Sequence, residues 1–164
     1  MRKLVLATVL GSSLFVIPAL AEGQRYPAVD HAATLKECSA CHMVYQPQML
    51  PARSWDALIN NLGDHFGESA ALDQAVADGI KSYLDANAAD APGVRSRWLR
   101  GLAKTDVPLR ISETPSFARA HREVSNAAFK RPGIGSKANC IACHKAADQG
   151  LYSEPGEGGE GGGD

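Results

Sequence analysis

Apolar side chains recur along this chain at helical spacing and nowhere alternate as they would in a half-buried strand. Trp55, Leu58, Ile59 and Leu62 fall at i, i+3, i+4 and i+7, which predicts an amphipathic helix of about three turns with Gly63 at its C-terminal cap. Leu72, Val76, Ile80, Tyr83 and Leu84 form a second stripe, weakened by Gly79 and ending near the polar Asn87. Thr114-Pro115 sets a hydroxyl cap before a proline at the first helical position. It predicts a helix to about Phe129 with Phe117, His121, Val124 and Ala128 on one face. A short helix is expected from about Leu35 to Met43, and another follows the breaks at Pro132, Gly133 and Gly135 and is ended by Gly150. The fold class expected is all-α.

The two ends of the chain follow other rules. Met1, Arg2 and Lys3 precede an uncharged run from Leu4 to Leu20 that closes in Ala19-Leu20-Ala21, the three parts of a secretory signal peptide. Cleavage is expected after Ala21; Gly11, Ser12, Ser13 and Pro18 interrupt the run and argue against a retained anchor. No later stretch is apolar for long enough to cross a bilayer, so the mature chain is expected to lack a transmembrane segment. Residues 154–164 hold Gly, Glu and Asp with no base, a composition that has nothing to bury and is expected to be disordered. Between these ends, residues 22–153 should form one domain. It would comprise a first lobe at about 28–90, a connection at about 91–108 where periodicity disappears, and a second lobe at about 109–153.

Charge excludes one class of partner. Residues 22–153 carry fifteen basic and fourteen acidic side chains, which is no footprint for nucleic acid. Aromatic residues make up only 6% of the chain and supply little bulk for a core, so a cofactor is a candidate to fill it.

The cysteines point to that cofactor. All four lie in two pentapeptides, Cys38-Ser39-Ala40-Cys41-His42 and Cys140-Ile141-Ala142-Cys143-His144. Each is C-x-x-C-H, the attachment signature of c-type haem. Two thiols three residues apart can form thioethers with the two vinyl groups on one porphyrin edge, while the next residue sets its imidazole beneath the iron. Cys38, Cys41, Cys140 and Cys143 are therefore expected to bind two haem c groups covalently, with His42 and His144 as proximal ligands. Two disulfides, a four-thiolate zinc site or a thioredoxin-type pair would use the same cysteines, but none requires a His after each second Cys. The charges of Arg95, Arg97, Arg100 and Lys104 read as a solvated face, with support of haem propionates as the rival reading.

A second axial ligand separates electron carriers from ligand binders. Met1 leaves with the signal, Met43 adjoins its own proximal His, and Met49 follows closely after it, so His residues are the better candidates. His121, one turn after Phe117 on an apolar face, and His65, in the turn Asp64-His65-Phe66-Gly67, are the expected distal ligands. His31, after Asp30 in the polar N-terminal stretch, reads as an exposed bystander. Spacing alone leaves open which distal His serves which haem. An enzyme, a small dihaem peroxidase or oxygen-reducing cytochrome with one five-coordinate haem, would require either His65 or His121 to be a core residue only.

Several stretches together resemble one family. Glu37-Cys38-Ser39-Ala40-Cys41-His42-Met43, Leu50-Pro51-Ala52-Arg53-Ser54-Trp55, Asp64-His65-Phe66-Gly67-Glu68, Pro108-Leu109-Arg110-Ile111-Ser112-Glu113-Thr114-Pro115, His121 and Asn139-Cys140-Ile141-Ala142-Cys143-His144 are similar to the DHC-type dihaem cytochromes c of bacteria. The resemblance implies a periplasmic electron carrier with two low-potential, bis-histidine haems, and it carries His65 and His121 over as distal ligands. It also implies redox partners: a membrane cytochrome b as donor and an oxygen-binding monohaem cytochrome c as acceptor. The departure lies after Gly150-Leu151-Tyr152, where Gly and Glu replace the short isoleucine- and proline-containing end of the family.

Overall fold

A computed structural model of the chain describes residues 24–153; the expected signal segment 1–21 and the tail 154–164 lie outside the described residues. Five short α-helices are joined by 3₁₀ turns and loops: α1 (Ala32–Cys38), α2 (Ala52–Ile59), α3 (Gln74–Ala86), α4 (Pro115–Ala120) and α5 (Asn126–Phe129). The all-α expectation holds for everything but a minimal ribbon. β1 (Gln24–Arg25) pairs antiparallel with β2 (Leu151–Tyr152), so the two ends of the described chain are stitched together. Gly150 makes this possible. It sits at φ 79° after a 3₁₀ turn over Ala147–Gln149, and a Cβ there would run into the Tyr26 carbonyl oxygen.

The two stripes behave as their periodicity predicts. Trp55 on α2 and Ile80 and Leu84 on α3 are buried together with Leu50, Ala88 and Ala91, while Leu58, Ile59, Leu72 and Val76 pack at the edge of that cluster. Lys81 on α3 pairs with Asp56 on α2 and, at 2.9 Å, with Asp85 on its own helix. The start of α2 has no side-chain cap of its own. Asp90 supplies one from a distance, accepting from the Ala52 N–H at 2.8 Å and pairing with Arg53 at 3.2 Å. Leu62 belongs to a 3₁₀ turn, Leu62–Asp64, and not to the last turn of α2, which ends at Ile59.

His31 is not an exposed bystander. Half-buried, it is the N-cap of α1: its Nδ1 accepts from the Thr34 N–H at 3.4 Å and lies 2.8 Å from the Thr34 hydroxyl, and its ring stacks on Tyr83 at 4.8 Å. The helix it starts runs from Ala32 to Cys38, earlier than the expected 35–43, because the cap precedes the cysteine cluster.

A second cluster forms from Met49, Trp98 and Phe117, with Tyr26, Phe129 and Tyr152 against it and Ile111 touching both clusters. Trp98 lies in the stretch expected to be a connection; it is buried, and its indole N–H donates to the Tyr26 hydroxyl at 2.8 Å. Thr114 caps α4 as expected, accepting from the Phe117 N–H at 3.2 Å while its hydroxyl donates to the Ile111 carbonyl at 2.8 Å. The helix stops at Ala120, however, and the chain restarts as α5 when the Ser125 hydroxyl accepts from the Ala128 N–H at 3.2 Å. Val124, placed by its spacing on the inner face, is therefore 42% exposed. Nor is there an α-helix around the second cysteine cluster, where 3₁₀ turns take its place.

Because the Thr114 hydroxyl is buried and serves both a cap and a carbonyl, Thr114→Ala should lower unfolding free energy by about 1–2 kcal/mol, with Thr114→Ser recovering most of it. Urea unfolding of the holoprotein measures both.

Candidate functional site

The two C-x-x-C-H segments are wound differently. Cys38 is the last residue of α1, Ser39 closes the helix by donating its N–H to the Leu35 carbonyl at 3.2 Å, and Cys41 and His42 leave on a turn. In the second segment the N–H groups of Cys143 and His144 both donate to the Cys140 carbonyl, at 3.1 and 2.8 Å, which gathers two thiols and an imidazole on one turn. None of the four cysteines is joined in a disulfide. Burial pushes the Cys140 thiol up to about 11 and raises Cys38 as well. A redox pair needs the opposite shift, since the thiolate is the reactive form. Among the described residues no three His, Cys, Asp or Glu side chains converge on a metal position, so the thiols do not assemble a four-thiolate zinc site.

Each motif histidine faces a second imidazole. The rings of His42 and His65 are 6.3 Å apart between centres at an interplanar angle of 26°, and those of His121 and His144 are 6.1 Å apart at 79°. A metal–imidazole bond is about 2 Å and the ring centre lies ~1 Å beyond the nitrogen, so two imidazoles on opposite sides of one metal stand about 6 Å apart. Both pairs fit that spacing. The arrangement is uncrossed, with the first motif beside His65 and the second beside His121.

Backbone carbonyls set the tautomer of three of these rings. His42 Nδ1 donates to the Met43 carbonyl at 2.6 Å, His121 Nδ1 to Phe117 at 3.0 Å and His144 Nδ1 to Ser153 at 2.8 Å. A carbonyl only accepts, so Nδ1 carries a proton and Nε2 is the nitrogen left to face a metal. Metal-bound imidazoles are commonly supported in this way.

The two distal candidates are held by different means. His121 follows the last turn of α4, stacked on Phe117 at 4.0 Å with Phe129 at 6.0 Å. His65 opens a two-residue hairpin: its N–H donates to the Glu68 carbonyl at 2.7 Å and its carbonyl accepts from the Glu68 N–H at 3.3 Å. Phe66 and Gly67 between them both have positive φ, 59° and 97°, as a type I′ turn requires. The Gly67 N–H donates to the Asp64 carboxylate at 3.0 Å. Phe66 is a bulky residue in a region that disfavours it, and the Arg110 guanidinium lies over its ring at 3.8 Å. Burial, with His42 and Arg110 close by, lowers His65 from the usual histidine range.

The two segments share one space. A cavity of about 360 Å³ lies between them, bounded by Cys41, His42 and Tyr45 on one side and Ile134, Asn139 and Ile141 on the other. Tyr45 stacks on His42 at 5.0 Å and donates its hydroxyl to the Ala138 carbonyl at 2.8 Å, just before Cys140. Beneath it, the fully buried Gln46 donates to the Ala147 carbonyl at 2.8 Å and accepts from the Tyr152 hydroxyl at 2.5 Å. Tyr45, Gln46, Phe129 and Tyr152 were not legible as site residues. The closeness of Tyr45 and Gln46 to the first motif was the one available signal.

Two C-x-x-C-H segments on a small helical chain define a c-type cytochrome with two haem c groups. A profile described as "Dihaem cytochrome c" matches residues 34–152, and the chain belongs to the dihaem cytochrome c family, a family of electron-carrying proteins. It is similar to the diheme cytochrome c from Rhodobacter sphaeroides at 52% identity over 77% of this chain and 100% of that one, with a TM-score of 0.72. A crystal structure of DHC purified from Rhodobacter sphaeroides shares 46% identity over 76% and 99% of the two chains, TM-score 0.65. The diheme cytochrome type c of Shewanella baltica shares 33% over 74% and 86%, TM-score 0.62. No curated protein matches the chain.

Gly67 stands at a positive φ with nothing within 4 Å of where its Cβ would lie. Gly67→Ala should therefore cost only backbone strain, about 1–2 kcal/mol. Gly63→Ala, with the same free space and no positive φ, should be near neutral in the same urea titration.

Proposed function

We propose that this dihaem cytochrome is an exported, periplasmic one-electron carrier whose two irons are each held by two histidines, His42 with His65 and His144 with His121. Thioethers from Cys38 and Cys41 to the first haem, and from Cys140 and Cys143 to the second, complete the attachment. The observation that carries this reading is the pairing of each motif imidazole with a second ring at about 6 Å. Bound haem c supplies a one-electron iron couple, and bis-histidine ligation favours a low potential where Met/His ligation would raise it.

The chain's own residues have three tasks. Carbonyls of Met43, Phe117 and Ser153 hold three imidazoles by their Nδ1–H and so resist rotation of the ring. The Asp64–Glu68 turn at His65, and the stacking of His121 on Phe117 with Phe129 at its side, keep the second imidazoles in place whichever redox state is present. Tyr45 and Gln46 tie the two attachment segments together, which keeps the centres at a constant separation. Were His42 with His65 and His144 with His121 to hold the two irons, substrate would have no place to coordinate, which favours a carrier over a peroxidase-like enzyme. No helix among the described residues is long and apolar enough to cross a membrane. The partners we propose are redox proteins, a membrane cytochrome b as donor and an oxygen-binding monohaem cytochrome c as acceptor, as the family resemblance implies.

Replacing His65 or His121 singly by Met should raise the potential of one haem and leave the other near its original value in spectroelectrochemical titration. A variant in which neither or both haems shift would contradict the assignment of one of these histidines to each haem. In the same preparations, Cys140→Ala with Cys143→Ala should halve the haem that survives acid–acetone extraction.

A further inference from the structure

The formal charge of −1 conceals a division along the chain. Residues 24–90 carry four basic and nine acidic side chains, whereas residues 91–153 carry eleven basic and four acidic ones. All eleven of those basic residues are exposed. A chain near neutrality thus divides along its sequence into stretches of opposite sign, about −5 and +7.

Four of the basic residues collect at one place. The turn Arg97–Leu99 packs on α4, and their junction is held by the Ser116 hydroxyl donating to the Arg97 carbonyl at 2.8 Å and by Arg119 donating to the Arg100 carbonyl at 3.2 Å. Arg122 in turn donates to the Arg119 carbonyl at 3.4 Å. The backbone of Arg97 and Arg100 therefore lies beside Ser116 and Arg119 of α4, with Arg122 one turn further on, so four exposed arginines stand on adjoining stretches of chain. Among the described residues only Arg122 has a carboxylate partner, Glu123 at 2.9 Å, and that pair is itself exposed. Hydrogen bonds to carbonyls fix where the Arg119 and Arg122 guanidinium groups stand without cancelling their charge. These side chains are exposed, and gathering like charges destabilises the folded chain. Helix α4 stops at Ala120 with His121 as its C-cap, so Arg119 and Arg122 lie within a turn of the imidazole that faces His144.

We propose that the face formed by Arg97, Arg100, Arg119 and Arg122 is the docking surface for a redox protein whose own surface is acidic, with electron exchange at the second haem. The inference rests on the reading of His121 as that haem's ligand. The field of the 91–153 half draws an acidic partner in, and the acidic 24–90 half repels the same partner, so encounters are turned toward one haem of the two. A partner of the opposite charge would be steered to the first.

Stopped-flow reduction of the oxidised holoprotein by a reduced plant-type ferredoxin tests this. That acidic donor, at about −400 mV, passes one electron for each of its clusters oxidised and each haem reduced. Both proteins carry net negative charge, so uniformly spread charge predicts a rate that rises with salt. The proposal predicts the reverse, a second-order rate that falls as salt rises. Arg119→Glu with Arg122→Glu should lower the low-salt rate about tenfold or more and abolish the fall with salt, leaving visible spectra and haem potentials unchanged. Arg97→Gln with Arg122→Gln, which spares the hydrogen bonds joining α4 to the turn, should act in the same direction more weakly.

A wild-type rate that rises with salt, or variants that react like wild type, would overturn the proposal. So would a shifted haem potential with an unchanged salt slope, which would assign the arginines to haem carboxylates. Binding of phosphatidylserine vesicles that the double variant loses while its ferredoxin rate is unaffected would assign the face to a membrane and likewise overturn it. Failure of the bis-histidine reading would be recognised separately, in the resting spectra, without altering the sign of the salt effect.

Discussion

An iron held by two imidazoles admits little latitude: the rings must stand about 6 Å apart with a lone pair of each directed at the metal, and this fold twice brings two imidazoles to that spacing. Neither pair comes from one element. His42 leaves the end of α1 and meets a turn that follows α2, while His144 leaves a 3₁₀ turn and meets the end of α4. The small apolar clusters set these elements against one another. The carbonyl acceptors on Nδ1 then set the rings.

Two such sites on one short chain must also be fixed relative to each other. The segment directly after the first motif does this with few residues. Tyr45 reaches the Ala138 carbonyl, Gln46 reaches Ala147 and Tyr152, and Met49 fills the cluster around Trp98 and Phe117. A buried glutamine amide is stable only when its polar atoms are satisfied, and both Gln46 contacts run to the second half of the chain. The β1–β2 ribbon adds a second closure between the ends. Electron transfer benefits from this economy, because a fixed scaffold has little to rearrange when the charge on a site changes.

Local features were legible in the sequence and non-local ones were not. Both C-x-x-C-H motifs act through neighbours in the chain, and the stripes of α2 and α3 obey a period that packing between two helices enforces. Thr114-Pro115 carried its own cap. The helix expected to run through His121 failed because Ser125 offers a second cap: Phe117, His121, Val124 and Ala128 share a spacing, yet His121 ends one helix and Ala128 belongs to the next. Trp98 is a lone aromatic with no periodic company, so its burial against Tyr26 depends on a contact 72 residues away. His31 looked polar and terminal, but a residue before a helix is also where a cap belongs. The pairing of distal to proximal histidines could not be read from spacing, since both pairings are compatible with the chain's length; it depends on where the turn at His65 folds back.

The segregation of charge shows the same limit at a larger scale. A total near zero describes solubility and says nothing of steering, which depends on where exposed charges collect. Arg119 and Arg122 lie close in sequence, but Arg97 and Arg100 join them only because a 3₁₀ turn packs on α4. The central claim remains that both irons are closed on both sides by protein imidazoles. Carbon monoxide titration of the fully reduced protein, followed in the Soret band, tests it most directly: the account predicts no stoichiometric shift, and a shift corresponding to one bound molecule per chain would contradict it.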